Sequence, residues 1–378
     1  MKKVGIFTIP WYWLSSNYGT FFQHWALRQT LKRIGYSPFR VTRNETPHTI
    51  VSFLKASLRA LIAIPWHVLR WNKPLKEEFL QWAYRTRSTF KFQYDYKKLI
   101  DSGDEFAQWE STDILIGGSD QMWNSRFFKQ IKTSPVITYA ASTDWLAASK
   151  DYELNRLMEE KKDFLKAISI REKAGIEWLK QINYHTNDLF HAIDPVFHWT
   201  KDDYLALTSP KKFFKQPTLL CYFVNIRSKE EFPLSFWEDV AQKLNAELKI
   251  IGIQGLENYL PFSKSLVPSP RDFLRCYRDA DYVVTNSFHG TVFSLIMNKP
   301  FACLKQRELP GASQNVRCDE LLSWLKLTDS YLPYDASQEK VVSTLKSLPD
   351  YTTINTIIEL RRAESKQWLE NALALCQE

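Results

Sequence analysis

The chain has 378 residues, of which 44% are hydrophobic and 24% charged, a composition typical of a globular protein. This length exceeds what one ordinary core accommodates and predicts two domains. The formal net charge of +8 indicates an anionic partner, but the lysines and arginines are spread along the whole chain. The spread argues against nucleic acid and favours an anionic small substrate or an anionic membrane surface.

The sequence predicts neither a leader peptide nor a membrane span. The N-terminus starts basic, turns apolar for only the length of a strand and lacks a small-residue cleavage site. The longest apolar candidate, residues 60–69, is interrupted by Pro65 and His67. The five cysteines are scattered, odd in number and without metal-ligand spacing. We therefore expect a cytoplasmic protein, either free or peripheral at the inner face of the membrane.

The first part of the chain alternates strands and helices, as expected for a parallel α/β sheet. A buried strand is predicted over 2–9, and after a loop a helical pattern runs to Gly35. Later strands are predicted over 36–42, 136–142, 167–170 and 191–196, and in the stretch 112–124, where the strand ends at the glycine pair 117–118. Helices are predicted over 151–164 and from 171 onward.

Residues 48–92 interrupt this alternation with an aromatic, basic and helical segment. Lys55, Arg59 and Arg70 punctuate its apolar residues, which would suit an amphipathic helix at a membrane interface. A helical insert that packs on the sheet is the alternative, and we favour it.

A second alternating set follows the polar, proline-bearing stretch 208–217, which is predicted to be an interdomain linker. Its strands are predicted over 218–224, 247–253, 281–287 and 300–304, and a long amphipathic helix over 352–375 closes the chain. The predicted fold is α/β, with two Rossmann-like domains facing a cleft and a last helix free to cross back. The predicted limits are 1–207 for the first domain, 218–350 for the second and 351–378 for the terminal helix.

The stretch "TNSFHGTVF" (285–293) holds the first candidate site. A strand, a short polar loop and a helix that begins near Gly290 would bring backbone N–H groups and a positive helix end together. That arrangement suits a phosphate or a carboxylate. His289 could act there as a general acid or base, or could only cap the turn by hydrogen bonding.

Other strand-end loops offer polar groups to the same edge of a sheet, where open α/β folds bind ligands. Ser119 and Asp120 follow Gly118 in one such loop, although Asp120 could equally be a helix N-cap. Asn17 and Gly19 occupy the loop after the first strand and could make a turn or hold a substrate hydroxyl.

Two arginines also follow strands. Arg171 and Arg227 could each bind a carboxylate or a phosphate through a forked guanidinium. Arg171 could equally pair with Glu172 or Glu177 on the surface. Asp194 precedes a proline, and we expect it to shape that turn.

The sequence lacks the motifs of several common enzyme classes. It contains no G-x-G-x-x-G, no P-loop, no H-E-x-x-H, no nucleophile elbow and no Cys/His metal set. These absences argue against NAD chemistry, nucleotide hydrolysis and zinc hydrolysis.

Taken in order, several segments resemble the polysaccharide pyruvyl transferase family. They run from about residue 17 to 327 and include "NYGTFFQHWALRQTLKRIGY", "DILIGGSDQMWN", "YAAS", "SIREKAG", "DPVFHW", "SPRDFLRCYRDADYVVTNSFHGTVFSLIMNKPF" and "NVRCDELLSWLKL". The resemblance implies a two-domain fold like that of the GT-B glycosyltransferases. It also implies transfer of pyruvate from phosphoenolpyruvate onto sugar hydroxyls as a ketal, in cell-surface polysaccharide biosynthesis.

The resemblance also implies roles for single residues. The histidine that acts near the donor falls on His289, while Ser287 stands where some members have an arginine, so that contact is absent or comes from another residue. The donor-binding set would be Arg171, Arg227, Asn286, Ser287, Gly290, Thr291 and Arg317. The set that faces the acceptor would be Asn17, Gly19, Thr20, Gly118, Ser119 and Asp120.

This reading requires no metal and no cofactor, because phosphoenolpyruvate is a co-substrate. The expected partners are phosphoenolpyruvate, a saccharide acceptor that is free or lipid-linked, and an anionic membrane at the periphery. One alternative is a GT-B glycosyltransferase that uses a nucleotide sugar. Another is a non-catalytic, membrane-associated partner in polysaccharide assembly.

Overall fold

The computed structural model describes residues 1–8, 18–41, 95, 99, 112–184, 189–252, 260–261, 263–307 and 315–376. The predicted helical insert 48–92 and the candidate Asn17 lie outside the described residues. All statements below concern the described part of the chain.

The first half contains a sheet of six parallel strands in the order β2-β1-β3-β4-β5-β6. The centre of the sheet is apolar because helices cover both of its faces, and β3 and β4 are buried along their whole length. The strands are β1 (Lys3–Phe7), β2 (Ser37–Arg40), β3 (Ile114–Gly117), β4 (Val136–Ala141), β5 (Leu165–Ile170) and β6 (Leu189–His191).

The helices of the first half connect these strands, and several begin at a capping side chain. Asn124 caps α2, and Thr200 with Asp203 forms a capping box at α6. The helices are α1 (Tyr18–Arg33), α2 (Ser125–Gln130), α3 (Trp145–Ser149), α4 (Tyr152–Lys161), α5 (Lys173–Gln181) and α6 (Lys201–Leu205).

The second half repeats the architecture with a parallel sheet in the order β12-β11-β10-β7-β8-β9. Its strands are β7 (Thr218–Tyr222), β8 (Glu247–Ile251), β9 (Ser265–Leu266), β10 (Tyr282–Thr285), β11 (Phe301–Leu304) and β12 (Tyr331–Leu332). Its helices are α7 (Leu234–Lys243), α8 (Pro270–Asp279), α9 (Phe288–Ile296), α10 (Val316–Trp324) and α11 (Gln338–Lys346).

The last helix, α12 (Tyr351–Leu375), leaves the second half and packs on the first sheet. Leu369, Ala372 and Leu373 are buried there, where the helix packs against β4 and β5. Ser365 Oγ accepts the Ile193 N–H at 3.2 Å, which ties the helix to the loop after β6. The expected two α/β units with a returning helix are confirmed.

An aromatic cluster joins the two halves. Tyr18 of α1 stacks on Phe273 of α8 with ring centroids 4.3 Å apart, and Phe22 meets Phe293 of α9 at 5.0 Å. The Tyr18 hydroxyl also donates to the Pro268 carbonyl at 2.6 Å. The start of α1 is therefore fixed against the second half.

The stretch 208–217 connects the sheets and is held by α8. Arg278 donates to the Ser209 carbonyl at 2.7 Å, and Arg275 donates to the Lys211 carbonyl at 2.8 Å. The exact domain limits stay predictions. None of the helices in the described ranges is both long and apolar enough to cross a bilayer.

Candidate active site

The candidate site lies where the carboxyl ends of the first sheet meet the starts of two helices of the second half. Ser119 and Asp120 follow β3, and Arg171 follows β5. His289 lies in the first turn of α9, and Arg317 in the first turn of α10. Parallel strands end at the same edge, which is why loops distant in sequence converge there.

Arg171 is buried and held by two carboxylates. Its Nε donates to Glu172 at 3.0 Å, and its Nη1 donates to Asp194 at 2.7 Å. The guanidinium also lies 4.4 Å from the centroid of the Phe288 ring. Its Nη2 is buried and has no hydrogen-bond partner among the described residues. One donor of a fixed guanidinium is thus left for a ligand.

Glu172 explains why Arg171 holds this orientation. The Glu172 carboxylate accepts from Ser142 Oγ at 2.7 Å and from Trp145 Nε1 at 2.9 Å, in addition to Arg171. All of these partners belong to the first half. Arg171 therefore pairs with Glu172 in the interior and not on the surface.

Asp194 shapes its turn as expected and also does more. Its Oδ1 accepts the Val196 N–H at 3.0 Å, while its Oδ2 accepts from Ser119 Oγ at 3.0 Å. Burial opposes the ionisation of this carboxyl, but the charges of His289 and Arg171 outweigh it and hold the pKa of Asp194 below its usual range. Asp194 is thus an anion at the centre of the site.

His289 is directed at this anion. Its Nε2 lies 3.4 Å from Asp194 Oδ2, within ion-pair distance, and makes no hydrogen bond with the described residues. The ring is nearly buried, at 6% exposure. It does not cap the turn: Ser287 is the N-cap of α9 and accepts the Gly290 N–H at 3.3 Å. His289 is therefore placed against Asp194 and does not cap the helix.

Gly19 gives the histidine its space. A Cβ at this position would lie 2.1 Å from His289 Nδ1, closer than real atoms approach. Only glycine therefore lets α1 pass so close to the ring. Gly19 thus lies against the histidine of the second half, and its expected role in facing the acceptor stays a prediction.

Asp120 forms the other negative centre. It accepts from Thr20 Oγ1 at 2.9 Å, and Arg317 Nη1 lies 3.8 Å from its Oδ1. Burial alone would raise the pKa of Asp120. The electrostatic effect of His289, Arg171 and Arg317 is larger and opposite, so the pKa lies below its usual range. It is not a helix N-cap; Asn124 has that role, and Asp120 adopts a φ of 76°.

The space beside these groups is small. A cavity of ≈ 20 Å³ lies between the halves, with Arg171, Asp194, Phe288 and Arg317 on its wall. A volume of this size holds about one water.

The predicted donor residues of the α9 loop are already occupied. Thr291 is buried, and its N–H donates to the Ser287 carbonyl at 2.9 Å. A Cβ at Gly290 would lie 2.1 Å from Thr285 Oγ1, so this glycine packs tightly against β10. A phosphate that used the N–H groups of Gly290 and Thr291 would have to displace the bonds to Ser287.

Three further predicted site residues contribute no side chain to the cluster. Gly118 is buried, and its N–H donates to the Phe7 carbonyl at 2.7 Å. Arg227 and Asn286 line a separate, larger cavity at the end of the second sheet. The structure therefore groups Arg171 and Arg317 with His289 and places Arg227 elsewhere.

Two residues of the cluster have roles that the sequence did not indicate. Asp194 was expected only to shape a turn, and Glu172 only to be a surface partner of Arg171. Both follow strands of the first sheet, and that position was the available signal. The described residues contain no group of three or more His, Cys, Asp or Glu side chains that could hold a metal; the expectation of a metal-free reaction stays a prediction.

Two parallel α/β units that face each other across a charged cluster define a GT-B-like fold. The family model for polysaccharide pyruvyl transferase matches residues 17–306. Because the match covers well over half of the chain, the protein belongs to this family, and it is a transferase.

No curated protein sequence matches the chain significantly. Among solved structures, UDP-GlcNAc 2-epimerase from Methanocaldococcus jannaschii is similar, with 9% identity, a TM-score of 0.53 and 93% of each chain covered. UDP-GlcNAc 2-epimerase from Neisseria meningitidis, solved bound to UDP-GlcNAc, has 10% identity, a TM-score of 0.52 and coverage of 99% of this chain and 100% of its own. MurG from Acinetobacter baumannii has 11% identity, a TM-score of 0.44 and 100% coverage of both chains. The similarity to the two epimerases concerns the fold.

Proposed function

We propose that the protein transfers pyruvate from phosphoenolpyruvate onto two hydroxyls of a saccharide, forming a ketal, in cell-surface polysaccharide biosynthesis in the cytoplasm. The observation that carries this proposal is the buried cluster of Arg171, Arg317 and His289 between the halves. Phosphoenolpyruvate bears a carboxylate and a phosphate, so its site needs cations in a place from which water can be excluded.

Each cation of the cluster has a distinct part in the proposal. Arg171 Nη2, which is buried and has no hydrogen-bond partner in the described ranges, binds one anionic group of the donor, and Arg317 binds the other. Arg317 would then take the place of the arginine that some family members have where this chain has Ser287. His289 is the general acid, and the nearby Asp194 stabilises its protonated form.

The reaction then balances without a further reactant. His289 donates a proton to the methylene carbon of phosphoenolpyruvate, which leaves an oxocarbenium-like centre at the neighbouring carbon. The first sugar hydroxyl adds to that carbon and returns its proton to His289. The carbon–oxygen bond to phosphate breaks, the second hydroxyl adds to the same carbon, and its proton leaves with the phosphate. We place the acceptor beside Asp120 and Thr20, which hydrogen bond to each other.

Replacement of the histidine tests this proposal. His289→Ala should lower the rate of phosphate release from phosphoenolpyruvate, in the presence of a saccharide acceptor, by about 10²–10⁴-fold, as is typical for a general acid–base group. Its thermal midpoint should stay close to that of the wild type. His289→Gln keeps a polar side chain of similar size, but an amide cannot give up or take up a proton near neutral pH. This variant should be equally inactive.

The assay also separates the competing function. Near-wild-type turnover of either variant would remove His289 from the chemistry. Turnover of a nucleotide sugar with release of the nucleotide, and none of phosphoenolpyruvate across a panel of saccharides, would instead establish a glycosyltransferase. The membrane-associated alternative rests on residues 50–72, outside the described part of the chain.

A further inference from the structure

A second cavity, much larger than the first, lies at the end of the second sheet. Its volume is ≈ 840 Å³, within the range of about 300–1,000 Å³ that small-molecule sites occupy. Its walls come from the segments that follow β7, β10 and β11, including Arg227, Asn286 and Arg307. A three-carbon acid such as phosphoenolpyruvate would leave most of this space empty.

The position of the cavity in the sheet favours a ligand site. Strand β7 lies between β8 and β10, so the chain proceeds from β7 to one side and later returns on the other. The crevice outside the carboxyl ends at such a reversal is where open parallel sheets bind ligands. The cavity opens at this point.

Two arginines on the wall have no ion-pair partner among the described residues. The side chains of Arg227 and Arg307 make no hydrogen bond or ion pair with other described residues. The nearby Glu231, in contrast, accepts the backbone N–H of Arg227 at 3.0 Å. Lys305 lies 3.9 Å from Asp319. The two guanidiniums are therefore available for the oxygens of a phosphate.

The remaining polar groups suit hydroxyls. Asn225 Nδ2 donates to Gln306 Oε1 at 2.9 Å, and Gln306 in turn donates to the Asn286 carbonyl at 2.9 Å. This chain of amides holds polar groups in place on the wall. Asp335, also on the wall, can accept from a hydroxyl, and the exposed ring of Tyr334 can pack on a sugar face.

Trp237 lines the cavity, is only 4% exposed and supplies an apolar surface to the wall.

We propose that this cavity binds a glycosyl phosphate, a saccharide that carries a phosphate or a diphosphate, through Arg227 and Arg307. The identification of this ligand as the pyruvyl acceptor rests on the proposed function. Asn286 lies on the wall three residues before His289, so one loop borders both the cavity and the charged cluster.

Binding measured by calorimetry without phosphoenolpyruvate tests the proposal. Glucose 1-phosphate and UDP-glucose should both bind, and glucose or inorganic phosphate alone should bind at least about 10-fold more weakly, since charge-assisted hydrogen bonds and hydroxyl contacts both contribute. Arg227→Met and Arg307→Met should each weaken binding of glucose 1-phosphate by about 10–100-fold. Arg126→Gln, an exposed arginine of the first half, is the matched control and should bind as the wild type does.

Three results would overturn the proposal. These are unchanged affinity in both arginine variants, equal affinity for glucose and glucose 1-phosphate, and binding of UDP-glucose without any binding of glucose 1-phosphate, which would indicate nucleotide recognition. His289→Ala should keep full affinity. Because binding is measured apart from turnover, loss of pyruvyl transfer and loss of this site are observed separately.

Discussion

At the scale of single residues, the arrangement around Arg171 shows how an interior ion pair can serve a ligand. The Glu172 carboxylate accepts hydrogen bonds from three donors, which are Ser142, Trp145 and Arg171. Its effect is to fix the plane of the Arg171 guanidinium while Nη2 stays unpartnered among the described residues. A bidentate or single-donor contact to an anion depends on that plane.

Glu172→Gln should therefore impair the donor site while the fold persists. The amide retains the size of the carboxylate but removes the charge and can no longer accept on both of its atoms. We expect the KM for phosphoenolpyruvate to rise by about 10-fold or more, the worth of one charge-assisted hydrogen bond. Steady-state kinetics and a thermal melt measure the two effects.

Glu177→Gln is the matched control, because Glu177 is exposed on the same helix α5. It should leave the kinetics unchanged. If Glu172→Gln changed only the melting temperature and not the KM, Glu172 would be a structural residue without influence on Arg171.

The sequence predicted most of the members of the cluster but not their arrangement. His289, Arg171, Ser119 and Asp120 follow strands or open helices, and such positions can be read from periodicity. Ser119, which was predicted to face the acceptor, contacts the same Asp194 oxygen as Arg171. This shared contact depends on the order of β3, β5 and β6 in the sheet. Strand order arises from long-range packing, which no local pattern contains.

At the scale of elements, local chemistry moves several boundaries. Helix α9 begins at Phe288, two residues before Gly290, because the Ser287 hydroxyl caps it. Strand β3 ends at Gly117, at the glycine pair where the sequence predicted its end, and Asp120 in the following loop adopts a positive φ that a strand does not allow. The element types were predictable from apolar periodicity, while their ends depended on single caps and turns.

The terminal helix α12 gives the clearest case of an element stabilised by packing on a distant part of the chain. Leu369→Ala should lower the free energy of unfolding by about 2–5 kcal/mol, because the fully buried side chain would leave a cavity against the first sheet. Urea unfolding followed by circular dichroism measures this loss.

Leu360→Ala on the same helix supplies the control. Leu360 is 62% exposed, so its truncation should change stability by less than about 0.5 kcal/mol. Equal effects of the two substitutions would mean that α12 does not pack on the first sheet in solution.

At the scale of the whole molecule, the two halves are closed on each other. Glu320 of α10 accepts the backbone N–H groups of Lys173 at 2.7 Å and Ala174 at 3.2 Å, and so caps α5 from the opposite half. Together with the Tyr18–Phe273 stack, this contact flanks the cavity of the charged cluster. The length of the chain predicted two units. The contacts between the units join residues more than a hundred positions apart, and no local sequence pattern indicates them.

The acid stability of the molecule should reflect histidines that the fold keeps neutral, which include the buried His24 as well as His198 and His191. Burial, aided by the positive charge of Lys366, lowers the pKa of His198 to about 3, and burial with Arg361 lowers that of His191 to about 4. His198 lies between Thr30 Oγ1, at 3.1 Å, and the hydroxyl of Tyr139. In the unfolded chain these histidines titrate at a pKa of about 6.5.

Between about pH 6.5 and pH 4 the unfolded chain therefore binds more protons than the folded one, and stability falls as the pH falls. The slope reaches at most about 1.4 kcal/mol per pH unit for each proton. Glu320 opposes this trend in part, because burial raises its pKa in the folded state and its stabilising effect grows as the pH falls. Below about pH 4 the lowered pKa values of Asp194 and Asp120 add a further loss.

Urea unfolding at pH 7, 6 and 5 measures how the free energy of unfolding changes with pH. The variant His198→Asn isolates the contribution of His198 to this change. The variant should be less stable at pH 7, since it loses the contacts to Thr30 and Tyr139, but its stability should fall less steeply toward pH 5. A wild-type stability that is constant from pH 7 to 5 would contradict a neutral His198. Equal slopes in the two proteins would assign the proton uptake to other groups, with His191 the first to replace.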